Sequence, residues 1–157
     1  MNKIYLDTNI ILEIILKTGN LFPDYKKIFY RITNNYLIVI PQVVVGETLI
    51  KILEHSNTSN KDKNVYEFTK ILETNVDFYH NIPPLYEKVM TMAVDIKQNV
   101  DNIDYCDAVI VAHAINDGSD CALFTVDTNI HNSDYISDII LDLDKTKNIK
   151  INIIDSI

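Results

Sequence analysis

The chain has 157 residues, 22 acidic against 14 basic side chains, and a formal net charge of -8. That length suits one compact domain, and apolar residues making up 47% of the whole chain exclude a disordered or low-complexity class. The acidic balance argues against a broad basic nucleic-acid surface, but leaves open an acidic site neutralised by metal.

Ile4-Tyr5-Leu6 runs into Asp7 and reads as a buried strand. Asn9 to Leu16, rich in Ile and Leu, reads as a helix, and Pro23 opens a second with Tyr25, Ile28, Phe29 and Ile32 at helical spacing. Asn34-Asn35 signals a turn before a second buried strand, Tyr36 to Ile40. Pro41 then opens a helix through His55, with Val44, Leu49, Ile52 and Leu53 on its apolar side. Ser56 to Lys63 reads as a polar surface loop, Val65 to Leu72 as a helix, and Val76 to Tyr79 as a short strand. A helix from Pro83-Pro84 to about Gln98 precedes Tyr105 to Ile115, which is apolar nearly all round and therefore buried. Asp117-Gly118 ends it. Cys121 to Val126 is a strand ending at Asp127, Asn132 to Leu141 fits neither pattern clearly, and Ile149 to Ile154 is a last strand.

Strands alternate with helices and no hairpin signal joins two strands. That pattern predicts an α/β fold, with a mostly parallel sheet of about five strands covered on both faces, in a single domain over residues 1–157. No apolar run approaches the roughly 20 residues of a spanning helix, and no signal peptide is visible. Cys106 and Cys121 have neither zinc nor disulfide spacing. A reduced, cytoplasmic chain away from the membrane is expected.

Two strands end in the same four residues, Asp7-Thr8-Asn9-Ile10 and Asp127-Thr128-Asn129-Ile130. The carboxyl edge of a parallel sheet is where such folds place their sites, so neighbouring strands would set Asp7 and Asp127 in one crevice. Each acid alone reads equally well as a turn residue or helix cap. Asp104 and Asp107 share a face at the start of the apolar helix. Spacing alone makes Asp104 the cap, whereas Asp107 sits at the rim of a core and needs a partner. Glu47 lies within an apolar stretch, where an exposed helix position is the alternative. Several carboxylates at one edge repel, and a divalent cation resolves the repulsion. All-oxygen ligands without a Cys or His cluster suit Mg²⁺ or Mn²⁺, pointing to phosphoryl or phosphodiester chemistry.

Ile4 to Leu12 resembles the opening of PIN-domain proteins. Glu47 in Val45-Gly46-Glu47-Thr48-Leu49 is similar to the family's second acid. Asp107 in Asp104-Tyr105-Cys106-Asp107-Ala108-Val109 is similar to the third, and Asp127 in Phe124-Thr125-Val126-Asp127 to the last. The resemblance spans about residues 3–155. It implies a Rossmann-like, three-layer α/β/α sandwich and a Mg²⁺- or Mn²⁺-dependent endoribonuclease that hydrolyses RNA through an activated water. Asp7, Glu47, Asp107 and Asp127 are then the metal-holding and catalytic residues, with Thr8, Asn9, Asp104 and Thr125 as auxiliaries. Small members are commonly VapC-type toxins, which implies an RNA substrate, an antitoxin partner and a homodimer.

Thr128-Asn129-Ile130-His131-Asn132 departs from the basic or aromatic stretch often found after the last acid. His113, six residues after Asp107, reads as a core histidine. Lys26, Lys27 and Arg31, or Lys61 and Lys63, could meet phosphates, although such clusters are usually solvated faces. A PIN-like fold that is catalytically silent and serves binding or assembly is the main alternative. A haloacid-dehalogenase-like phosphatase needs a second Asp where Asn9 stands. A response-regulator receiver needs paired N-terminal acids and a late Lys, and both are missing.

Overall fold

A computed structural model describes residues 2–17, 25–74 and 83–156. Four strands are present among them: β1 (Asn2–Leu6), β2 (Tyr36–Val39), β3 (Cys121–Phe124) and β4 (Ile151–Ile154). All are parallel, in the order β2-β1-β3-β4. Ile4 lies opposite Ile38 on one side and Ala122 on the other. Ile4, Tyr5 and Leu6 of β1 and all four residues of β3 are buried. A central parallel strand is covered on both faces, which is why these segments read as unbroken apolar runs.

The helices are α1 (Thr8–Leu16), α2 (Tyr25–Asn35), α3 (Gln42–His55), α4 (Lys61–Thr74), α5 (Glu87–Asn99), α6 (Tyr105–Asn116), α7 (Thr128–His131) and α8 (Asp134–Lys147). α1 packs with α2, α3 and α4, while α5 packs with α6 and α8. The sheet between them completes a three-layer α/β/α sandwich. α1 is dense in β-branched isoleucines, which are indifferent helix formers, so burial of Ile10, Ile11, Ile14 and Ile15 sustains it rather than propensity. Every residue of α6 from Asp107 to Ile115 is buried. At the amino end of the sheet, Lys3 Nζ and the Tyr5 hydroxyl both donate to Asp117, at 2.8 and 2.6 Å, and so fix the end of α6 against β1. Gly118, at φ +80°, then turns the chain toward β3.

The sheet has four strands among the described residues where about five were expected. The fifth was assigned to Val76–Tyr79, which lies outside the described residues, as do Pro23 and its neighbours. Asn34-Asn35 closes α2 instead of forming a separate turn, because both side-chain amides donate back to carbonyls one turn earlier, at 2.6 and 2.8 Å. The polar loop is shorter than predicted, since α4 already begins at Lys61. On α3 the buried stripe runs through Val44, Thr48 and Ile52, leaving Leu53 exposed. Asn132 to Leu141 resolves into the start of α8, which Ser133 caps by accepting from Ile136 N–H at 3.2 Å.

Candidate active site at the carboxyl edge of the sheet

β1 and β3 are hydrogen-bonded neighbours, so the two Asp-Thr-Asn repeats do leave the sheet side by side. The Asp7 N–H extends the ladder by donating to the Phe124 carbonyl at 3.1 Å. Asp7 occupies the N-cap position of α1, yet its side chain makes no capping hydrogen bond. Its Oδ2 instead accepts from the Thr125 hydroxyl at 2.7 Å. That hydroxyl also accepts from the Asp127 N–H at 3.0 Å. Fully buried Thr125 thus links the acids that follow β1 and β3. Its carbonyl in turn accepts a hydrogen bond from His131 Nε2 at 2.9 Å.

α3 supplies Glu47. Its Oε2 accepts from the Thr8 hydroxyl at 2.6 Å, across from α1. Its Oε1 pairs with Lys51 Nζ at 2.5 Å. α6 supplies Asp107 from its first turn. Asp104 caps that helix by accepting from the Asp107 N–H at 2.8 Å, as spacing predicted. Asp127 likewise caps α7, its Oδ1 accepting from the Asn129 N–H at 2.6 Å. Asn9 is half-buried on α1, and no described hydrogen bond joins it to the acids.

The electrostatics identify these carboxylates as one group. Burial raises Asp107 to about 8, with Asp7, Asp104, Asp127 and Glu47 adding to the effect by repulsion. Burial also raises Asp7 to about 6, against the Thr125 hydrogen bond, the Thr8 backbone and Lys51, which lower it. Two acids that resist ionisation beside three more form a strongly electronegative, under-compensated site. Cys106 lies in the same field. Burial, then Glu47, Asp104 and Asp107, push its thiol up to about 11, so it is no thiolate nucleophile near neutral pH.

Fit to a divalent ion rests on the donor chemistry. The set is all oxygen, anionic and partly desolvated, as a hard cation requires. Among the described residues, however, no three His, Cys, Asp or Glu side chains stand close enough to bracket one ion. Glu47 is committed to Thr8 and Lys51, and Asp104 and Asp127 each spend an oxygen on a helix cap. The acids are gathered at one edge but not drawn together. Cavities of about 820 and 410 Å³ open elsewhere, beside α5 and the end of α6, and none of these acids lines them.

The motifs missed Lys51, although its spacing of four from Glu47 on one helix was a usable signal. His113 is a core residue, as predicted. It is 3% exposed, burial holds it down at about 4, and its Nε2 has no partner among the described residues.

A parallel sheet order of 2-1-3-4, with acids from the ends of β1 and β3, the following α3 and the start of α6 meeting at one edge, defines a Rossmann-like carboxylate-edge protein. The profile described as PIN domain matches residues 4–134, and the chain belongs to that family. Its fold is similar to the structure of FitAcB from Neisseria gonorrhoeae, at 18% identity and TM-score 0.62, covering 95% of this chain and 96% of that one. FitAB bound to an IR36 DNA fragment gives 20% identity and TM-score 0.60, covering 96% and 94%. VapBC2 from Rickettsia felis, bound to a DNA fragment from its promoter, gives 16% and 0.55, covering 97% and 98%. No curated protein matches the chain significantly.

Proposed function

We propose that this protein is a divalent-metal-dependent endoribonuclease and the toxin of a toxin–antitoxin pair. The observation that carries the reading is the buried acid group around Asp107 at the carboxyl edge of the sheet. Membership of the PIN family supports a nuclease, and the similarity to FitAB and VapBC2 structures supports an antitoxin partner. Residues 1–157 act as one domain in this reading, supported by β4 pairing with β3 in the common sheet. No helix among the described residues is long and apolar enough to cross a membrane, and the reading places the protein in the cytoplasm as a homodimer.

Asp7, Glu47, Asp107 and Asp127 would hold Mg²⁺ or Mn²⁺. When bound, the ion supplies a lowered water pKa and a positive charge for the phosphoryl oxygens. The chain's own contribution is placement. Thr125 fixes Asp7 relative to Asp127, and Thr8 fixes Glu47 relative to α1. Asp104 holds the first turn of α6, and with it Asp107. Asp7 and Asp107 are buried, which limits the screening of their charge by water, while Glu47 and Asp127 are half-buried.

The alternative is a silent binding or assembly module. On its side is the fact that no three of these side chains yet bracket one ion. Incubating purified protein with a mixed single-stranded RNA pool separates the two. Cleavage that needs Mn²⁺ or Mg²⁺, stops with chelator and is lost in Asp107→Asn supports the nuclease. Intact RNA under all metal conditions supports the module.

A further inference from the structure

Both oxygens of Glu47 are occupied, one by Thr8 and one by Lys51. The two partners are unlike. Thr8 is buried, and its short side chain ties α1 to α3. Lys51 carries its charge on a flexible four-carbon stem, and its side chain is 29% exposed. An ordinary pair at this helical spacing is a solvated decoration felt by no other group. This one is different. Lys51 acts on Asp7 and on Cys106, and is itself stabilised by Glu47, Asp104 and Asp7 against the cost of burial. Its ammonium, held on Glu47 Oε1 at 2.5 Å, therefore shares the field of the neighbouring acids.

We propose that Lys51 is a built-in counter-cation of the acid site, which competes with the incoming divalent ion for Glu47 and so sets how tightly that ion is held. The inference rests on reading the acids as a metal centre. A cation that engages Glu47 must displace one of its two partners, and Lys51 is the one with a route to solvent. Lys51 is a positioning residue in this scheme. It acts through Glu47.

The test is calorimetric titration of Mn²⁺ into the full chain, comparing wild type with Lys51→Met, Lys51→Gln, Lys51→Arg and Asp107→Asn. Methionine keeps most of the apolar stem and removes the charge, and glutamine serves if that variant folds poorly. Urea midpoints establish that each variant is folded. Removing one positive charge next to a divalent site is expected to tighten Mn²⁺ binding roughly tenfold in Lys51→Met or Lys51→Gln. Lys51→Arg should stay close to wild type. Unchanged or weaker binding in the neutral variants, with wild-type binding that Asp107→Asn abolishes, overturns the counter-cation and leaves the metal centre standing. Binding in the neutral variants but not in the wild type supports the proposal in its strongest form. No binding in any of these proteins overturns the metal centre, and the counter-cation with it.

Discussion

Replacing Asp107 with Asn should make the metal-free protein more stable near pH 8, although it removes the central acid of the site. In the folded chain this carboxyl is held at about 8, by burial first and by Asp7, Asp104, Asp127 and Glu47 after it, against an ordinary 3.8. Below pH 3.8 it is protonated in folded and unfolded chains alike, and costs nothing. As pH rises, the unfolded chain releases the proton while the folded chain keeps it. Stability therefore falls from about pH 4 and levels off above about 8. At about 1.4 kcal/mol per pH unit the interval has a ceiling of about 6 kcal/mol. Asp107 is buried, but relaxation of the surroundings and partial water penetration weaken the field, and about 2–3 kcal/mol is the expected share. Asn has the same shape and no charge, and the cap on the residue 107 N–H is a backbone contact that survives the change. Urea unfolding in chelator at pH 4.5, 6 and 8, followed by circular dichroism, reads the difference. The variant should exceed wild type only slightly at pH 4.5 and by the full amount at pH 8. Parallel pH profiles, or a less stable variant at pH 8, would refute the electrostatic reasoning.

Other expectations follow from single contacts. Thr125→Ala removes the bridge between Asp7 and the Asp127 backbone and should cost about 1–2 kcal/mol in urea melts, whereas Thr125→Ser should recover most of it. His113 is held at about 4 by burial against an ordinary 6.5, so its contribution is lost as pH falls between those values. His113→Leu should thus remove about 1–2 kcal/mol of acid sensitivity at pH 5 without altering RNA cleavage; a cleavage defect would give His113 a role at the site. Ile110, fully buried in α6, should cost about 2–5 kcal/mol as Ile110→Ala, seen as a lowered urea midpoint with an unchanged pH profile.

The sheet was legible because its central strands are buried on both faces, so Ile4-Tyr5-Leu6 and Cys121 to Phe124 stand out as apolar runs. The placement of Asp7 and Asp127 was legible for the same reason: each follows such a run, and parallel pairing brings their ends together. The roles of the capping groups were not. Asp7, Asp104 and Asp127 all precede a helix, but only Asp104 and Asp127 use their side chains as caps. Whether a carboxylate caps or faces a site depends on a partner distant in sequence, here Thr125 for Asp7, 118 residues away. The spacing of Lys51 from Glu47 was visible, but its significance was not, for a related reason. A charge four residues from another is ordinary on any helix, and only the fold shows which acids surround it. The start of α8 was obscured because polar Asn132, Ser133 and Asp134 interrupt the apolar periodicity, although Ser133 is the cap that begins the helix.

The central claim is that these acids hold a divalent cation. Loss of the free Mn²⁺ paramagnetic resonance signal on adding protein at pH 7.5 tests it most directly, with wild type and Asp107→Asn compared at equal concentration. Saturable loss of signal is expected in wild type and little in the variant. No binding by wild type at millimolar Mn²⁺, or equal binding by both proteins, would contradict it.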